Sequence, residues 1–238
     1  MVGRIAVIAG VDGCKKGWVV AVGDGWSSRQ RPRLLFCETF KSVLKATDTC
    51  EVVAVDMPIG IPSGAQRREC DLQAIKALGK AASRVFLTPP RESLCAKTPV
   101  EFQEIHRNLR DTGAGFVVWG IVPKIKEVDE VMKPQLQDRV FEFHPELAWK
   151  RLAGNVLDSK HTAAGILQRI SIIEEYVGGI EHFREDKGAM NGAIDDVLDA
   201  LVGLSVAHCI ATGPDYNGRL PCGQSPKDLR GLKMEIWY

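Results

Sequence analysis

Residues 4–12, RIAVIAGVD, form a compact apolar run that ends on Asp12 and meets Gly13 at once. A short continuous apolar run bounded by a turn signal suits a buried strand, here with a carboxylate at its tip. Gly13-Cys-Lys-Lys-Gly17 is turn material and residues 18–22 are again β-rich, so the two runs predict a hairpin. Beyond the polar turn 23–31, residues 33–39 predict a third strand, 41–49 a short helix and 51–56 (EVVAVD) a fourth strand. That strand also closes on an acid, Asp56, and Met57-Pro58 stops it. Three strands, a helix and another strand predict a mixed sheet, an antiparallel meander joined by a crossover to a parallel strand.

Further along, residues 59–137 read as mostly helical with loops. Helical spacing is clearest over 65–78 and 100–110, on either side of Thr88-Pro89-Pro90-Arg91. Residues 139–144 (RVFEFH) predict a fifth strand, and 146–152, 160–177 and 191–212 predict helices, the last ended by Gly213. The tail over 214–232 is loop-rich, and 233–238 fits a short edge strand. The expected class is α/β: a mixed five-stranded sheet flanked by helices, with helical insertions after the fourth and fifth strands.

A chain of 238 residues is long enough for one substantial core, so a single domain over 1–238 is expected. A hydrophobic share of 45% with 26% charged residues is that of a soluble globular protein. The formal net charge of +1 leaves no global field that would announce nucleic acid or a membrane surface, although local patches remain open. Seven scattered cysteines, with no CxxC pair, argue against a zinc ribbon and a disulfide framework and suit a reducing cytoplasm. The N-terminus is too short and too soon charged for a signal peptide, and no stretch approaches the ~20 apolar residues of a membrane span.

The last long helix carries the most chemistry. At 100° per residue, Asp195, Asp199 and Asp196 fall at about 0°, 40° and 100°, within one sector. Taken alone, this acidic half also fits the wet stripe of an ordinary amphipathic helix. Downstream, however, the same sector holds Gly203, Val206, Ala207 and Ile210, so the helix becomes apolar all round, as in a helix buried between layers. Asp199 is then expected near an interior, where unpaired charge is costly and crowded carboxylates raise each other's pKa. A bound cation resolves both. Asp12 and Asp56 place two more carboxylates at strand ends, where open α/β sheets build their sites; singly, each also fits a turn-starting Asp. Oxygen ligands without a Cys/His set select Mg²⁺ or Mn²⁺ over Zn²⁺.

Several ordered motifs now stand out: Gly10-Val-Asp-Gly-Cys-Lys-Lys-Gly-Trp18, Asp56-Met-Pro-Ile-Gly60, Arg68-Glu-Cys-Asp71, Val85-Phe-Leu-Thr-Pro-Pro-Arg91, Pro123-Lys-Ile-Lys-Glu-Val-Asp129, Glu142-Phe-His-Pro-Glu146 and Asp195-Asp-Val-Leu-Asp-Ala200. In this order they resemble the domain-of-unknown-function 429 family of predicted nucleases, from about residue 8 to 212. Residues 213–238 then form a C-terminal extension. The resemblance implies a ribonuclease-H-like fold. By comparison with the related Holliday-junction resolvases, it also implies metal ligands at Asp12, Asp56 and the D-x-x-D of Asp196 and Asp199. Those resolvases usually carry Glu at the fourth strand, so Asp56 is shorter by one methylene. Asp195 competes with Asp196, because i, i+4 spacing also faces Asp199.

Around the fifth strand, Glu142 and His144 share a face. Glu146 or Glu142 could add a ligand and His144 a proton shuttle, or His144-Pro145-Glu146 could simply cap the next helix. Lys15, Lys16, Arg91 and Lys124 are candidates for substrate phosphates, with Lys126 and Lys160 behind them. Arg91 and Lys124 follow prolines in what read as rigid loops. Gly13-x-x-x-Gly17 lacks the Gly-Lys-Ser/Thr of a P-loop. Trp18 and Trp119 could stack bases but fit a core or partly buried role better.

The reading reached is a divalent-metal-dependent nuclease hydrolysing nucleic-acid phosphodiesters. Asp12, Asp56, Asp195, Asp196, Asp199 and Glu146 are its candidate catalytic set. Two alternatives stay open: a nucleotide-binding phosphotransferase or ATPase of actin-like type, and a non-catalytic, metal-stabilised interaction module. Nucleic acid is the expected partner and a membrane is not. The oligomeric state is not legible, and a homodimer is compatible with the sequence.

Overall fold

Ile8, Ala9 and Val11 have no exposure to solvent, which is why the first apolar run becomes a central strand, β1 (Ile8–Cys14). The computed structural model describes residues 6–26, 31–113, 116–213 and 216–238, so the first two residues of the expected strand and part of the 23–31 turn lie outside them. Strand β2 (Gly17–Gly23) pairs antiparallel with β1 through the exposed Lys15-Lys16 turn, and β3 (Arg33–Cys37) pairs antiparallel with β2. Helix α1 (Phe40–Ala46) starts on a capping box, in which Thr39 accepts from the Ser42 amide and the Ser42 hydroxyl accepts from the Thr39 amide. It carries the chain across to β4 (Val52–Asp56), parallel to β1, and β5 (Val140–Glu142) lies parallel to β4. The order β3-β2-β1-β4-β5, with only β2 running against its neighbours, is the ribonuclease-H-like mixed sheet.

The chain forms two compact units, the first made of residues 1–57, 139–218 and 237–238 and the second of 58–138 and 219–236. The first holds the sheet together with α5 (Pro145–Ala153), α6 (Ala163–Val177), α7 (Lys187–Asn191) and α8 (Ile194–Thr212). Helix α6 begins three residues later than its spacing predicts, because Thr162 caps it by accepting from the Gly165 amide. Residues 158–162 are therefore loop. In the tail, Trp237 bridges Phe143 in parallel fashion, a minimal form of the expected edge strand.

Every residue of α8 from Val197 to Ala207 is buried, Asp199 included. The helix crosses β1 at a point where neither partner has a side chain. A Cβ on Gly10 would overlap the Ala200 carbonyl oxygen, and one on Gly203 would lie 2.9 Å from Gly10 Cα. Two glycines thus let backbone meet backbone. From that point Asp12 lies two residues along the strand, on the same face, and Asp199 lies one helical turn back.

The second unit carries α2 (Glu69–Leu78), α3 (Pro99–Arg110) and α4 (Phe116–Val131). Its interior is polar at key points. Arg91 makes a bidentate pair with Asp129 (2.7 and 3.0 Å) and reaches Asp228 (2.8 Å), which itself accepts from the Ile61 and Leu232 amides. Fully buried Arg68 contacts Cys70, Asp71 and Thr88. Pro123 and Lys124 lie inside α4, not in the rigid loop their sequence suggests. Among the described residues, no helix is long and apolar enough to cross a membrane.

Gly203→Ala is expected to lower the melting temperature by several degrees, since adding a methyl to a filled backbone contact costs about 1–3 kcal/mol. Thermal unfolding by circular dichroism checks it, and a variant that melts with the wild type would remove this contact as the spacer of α8.

Candidate metal centre

Asp12 and Asp56 are register partners on neighbouring parallel strands, so their side chains leave the sheet at the same level and on the same face. Helix α8 brings Asp199 to them. One carboxylate oxygen from each of the three lies within 4.8 Å of the others, and among the described residues this is the group able to hold a metal ion. Asp199 is 1% exposed and Asp12 6%, with Asp56 partly buried.

Two of the three carboxylates are held by neighbouring donors. Asp12 accepts from the Gly13 amide at 2.8 Å. Asp199 accepts from Trp149 Nε1 at 2.9 Å through one oxygen and from Lys160 Nζ at 2.7 Å through the other. The Trp149 ring lies under the guanidinium of Arg169, which also pairs with Glu146 at 2.7 Å. Trp149 and Arg169 were not signalled by the sequence, because neither lies in a motif with Asp199; Trp149 is 50 positions away from it.

Crowding shows in the protonation equilibria. Burial first, and then the charge of Asp199, push Asp56 up to about 7. Asp12 is raised well above the ordinary carboxylate range by burial, then by Asp56 and Asp199. For Lys160, burial alone would lower the pKa, but Asp199, Asp12 and Asp56 outweigh it and hold the ammonium charged. The donors are carboxylate oxygens only, buried and mutually repelling, which fits a hard divalent cation such as Mg²⁺ or Mn²⁺.

The remaining candidates are dispersed. Asp196 caps α8, accepting from the Ala193 amide at 2.8 Å, so the D-x-x-D pair divides its work: Asp199 joins the cluster and Asp196 starts the helix. Asp195 lies 3.5 Å from Lys160. Glu146 is paired with Arg169 behind the cluster, and its charge is felt at Asp56. His144 stands at the N-cap of α5 and Glu142 is buried in β5. Lys15 and Lys16 are exposed at the hairpin turn. Arg91, Lys124 and Lys126 belong to the second unit. There Arg91 is held by two carboxylates and Lys124 is 3.5 Å from Glu127, so both candidates for substrate phosphate already have acidic neighbours. Trp18 is fully buried against Phe40, a core use, whereas Trp119 is partly buried and packs on Phe102.

The family described as "Protein of unknown function (DUF429)" matches residues 10–219, and the chain belongs to that family. A comparison with curated proteins finds no match. Among solved structures, the chain is similar to Thermus thermophilus RuvC at 15% identity, over 87% of this chain and 96% of that one, with a TM-score of 0.34. T. thermophilus RuvC in complex with a Holliday junction substrate matches at 13% identity over the same shares, with a TM-score of 0.37. At such scores the likeness carries no argument, and the fold rests on the strand order itself.

A raised carboxyl pKa means that the folded state binds a proton the unfolded chain releases. Stability of the metal-free protein therefore falls as pH rises from the ordinary carboxylate value of 3.8 towards about 7. After chelator treatment, the melting temperature is expected to drop between pH 5 and pH 8, and Asp56→Asn should flatten that slope. A wild-type profile that rises over this range would contradict the charge crowding described.

Proposed function

We propose that this chain is a divalent-metal-dependent nuclease that hydrolyses phosphodiester bonds in nucleic acid. The observation that carries the reading is the convergence of Asp12, Asp56 and Asp199, from two adjacent strand ends and one buried helix, into a cluster that offers only oxygen ligands. A divalent ion held there supplies an activated water and charge stabilisation for the leaving oxygen.

The protein's own part is positional. Asp12 and Asp56, set side by side by strand register, form the rigid edge of the site. Trp149 holds Asp199 in one orientation from the protein side, and burial keeps bulk water from screening the carboxylates. Asp56, whose pKa burial and Asp199 raise to about 7, would have to give up its proton to hold a cation, so metal affinity would rise with pH across the same interval. Lys15 and Lys16 stand at the turn that follows Asp12, a place from which they reach a phosphate backbone.

Asp12→Asn is expected to abolish Mn²⁺-supported cleavage, by at least about 10³-fold if the site provides most of the electrostatic stabilisation, while leaving the circular dichroism spectrum unchanged. The assay covers single-stranded, duplex and four-way-junction DNA and single-stranded and duplex RNA. A pure, Mn²⁺-supplied wild type that cuts none of them overturns the proposal.

A further inference from the structure

A cavity of about 290 Å³ opens within the first unit, between α5, α6 and α8. Ala148 and Ser205 are the buried part of its lining, and Arg151 is exposed. Trp26 and Tyr176, stacked with ring centroids 4.8 Å apart, add an aromatic wall. At about 30 Å³ of liquid volume per water molecule, the space equals about ten waters. That is room for a molecule of one or two rings and not for a polymer. The cavity is separate from the carboxylate cluster, since none of Asp12, Asp56 and Asp199 lines it.

Among the described residues, Arg151 is the one charged side chain of the lining, which holds no Asp, Glu or Lys. Its guanidinium is fixed in advance. Cζ stands 4.5 Å over the centroid of the Tyr216 ring. Nη1 donates to the Tyr216 hydroxyl, to the main-chain oxygen of Tyr238 at 3.1 Å and to the Cys209 sulfur at 3.4 Å. All three of these bonds use the same nitrogen. The Nε–Nη2 edge, which grips a carboxylate through two parallel hydrogen bonds, has no partner among the described residues. A planar fork already held in place loses little freedom when an anion reaches it.

We propose that this cavity is a binding site for a small aromatic carboxylate. Its ring lies against the wall of Trp26 and Tyr176, and its carboxylate takes the free edge of Arg151. Each part of the lining selects one property of the ligand: the lone positive charge an anion, the aromatic wall a flat apolar ring, and the volume a single small molecule. No residue of the carboxylate cluster takes part, so the proposal stands or falls independently of the metal reading.

Equilibrium dialysis of the full chain against 1-naphthoate tests it, with 1-naphthamide as the uncharged counterpart. The wild type is expected to take up naphthoate and to bind the amide at least about tenfold more weakly, because hydrogen bonds between charged groups are roughly twice as strong as neutral ones. Arg151→Gln should weaken naphthoate by at least about tenfold and change the amide little, since a hydrogen bond to a charged group is worth about that much. Leu152→Trp, which fills the cavity from a partly buried position, should abolish naphthoate binding. A wild type that takes up no naphthoate at millimolar concentration overturns the proposal. So does an amide that binds as tightly as the acid, or a folded Arg151→Gln that keeps wild-type affinity for naphthoate. Should Leu152→Trp fail to fold, Arg151→Gln and the amide still decide.

Discussion

Helix α8 lies against the central strands because Gly10 and Gly203 carry no side chains, and that contact determines where Asp199 arrives. Strand register has already put Asp12 beside Asp56. A helix standing one side chain further off would leave Asp199 in the same layer but away from the other two oxygens. The cluster therefore follows from a backbone approach made two residues away along the strand and one turn away along the helix.

Bringing three carboxylates into a buried site creates a problem that the surrounding residues visibly address. Lys160 and Trp149 each take one oxygen of Asp199, and the Gly13 amide takes one of Asp12. Asp56 responds instead by holding its proton towards neutrality. Behind them Arg169 serves three neighbours at once: Glu146, the Trp149 ring and the loop of Lys160. A buried guanidinium suits this use, because its planar donors reach several acceptors without losing charge. The second unit uses arginine in the same way. There the motifs ending in Arg91 and Asp129 meet in a bidentate pair, and Asp71 of a third motif accepts from the Thr88 amide. Residues that stand out in the sequence for their charge thus divide into a cluster open to cations and a scaffold of closed ion pairs.

Much of this was legible in the chain alone. Apolar runs ending in Asp12 and Asp56 gave both strands and both carboxylates, since a strand buried on two faces must be continuously apolar. The wheel of α8 identified Asp199 as the acid with no wet side to face, and it is indeed 1% exposed. Local signals failed where a cap or a distant partner overrode periodicity. The start of α6 moved to Thr162, Pro123 was absorbed into α4, and Arg91 found Asp129 and Asp228.

The sequence by itself determined the strand pattern and the five-stranded mixed class, because burial and period are properties of short segments, and it held Asp12, Asp56 and Asp199 within a wider set of candidate acids. The sequence offered Asp196 as a ligand beside Asp199, with Asp195 as its rival; only the tertiary structure turned Asp196 to the helix cap and left Asp199 in the cluster. It alone joined Lys160, Trp149 and Arg169 to the site. The reason is physical: side-chain period says which face a residue occupies, but a counter-charge 39 residues away is chosen by packing, and packing is settled only when the layers close.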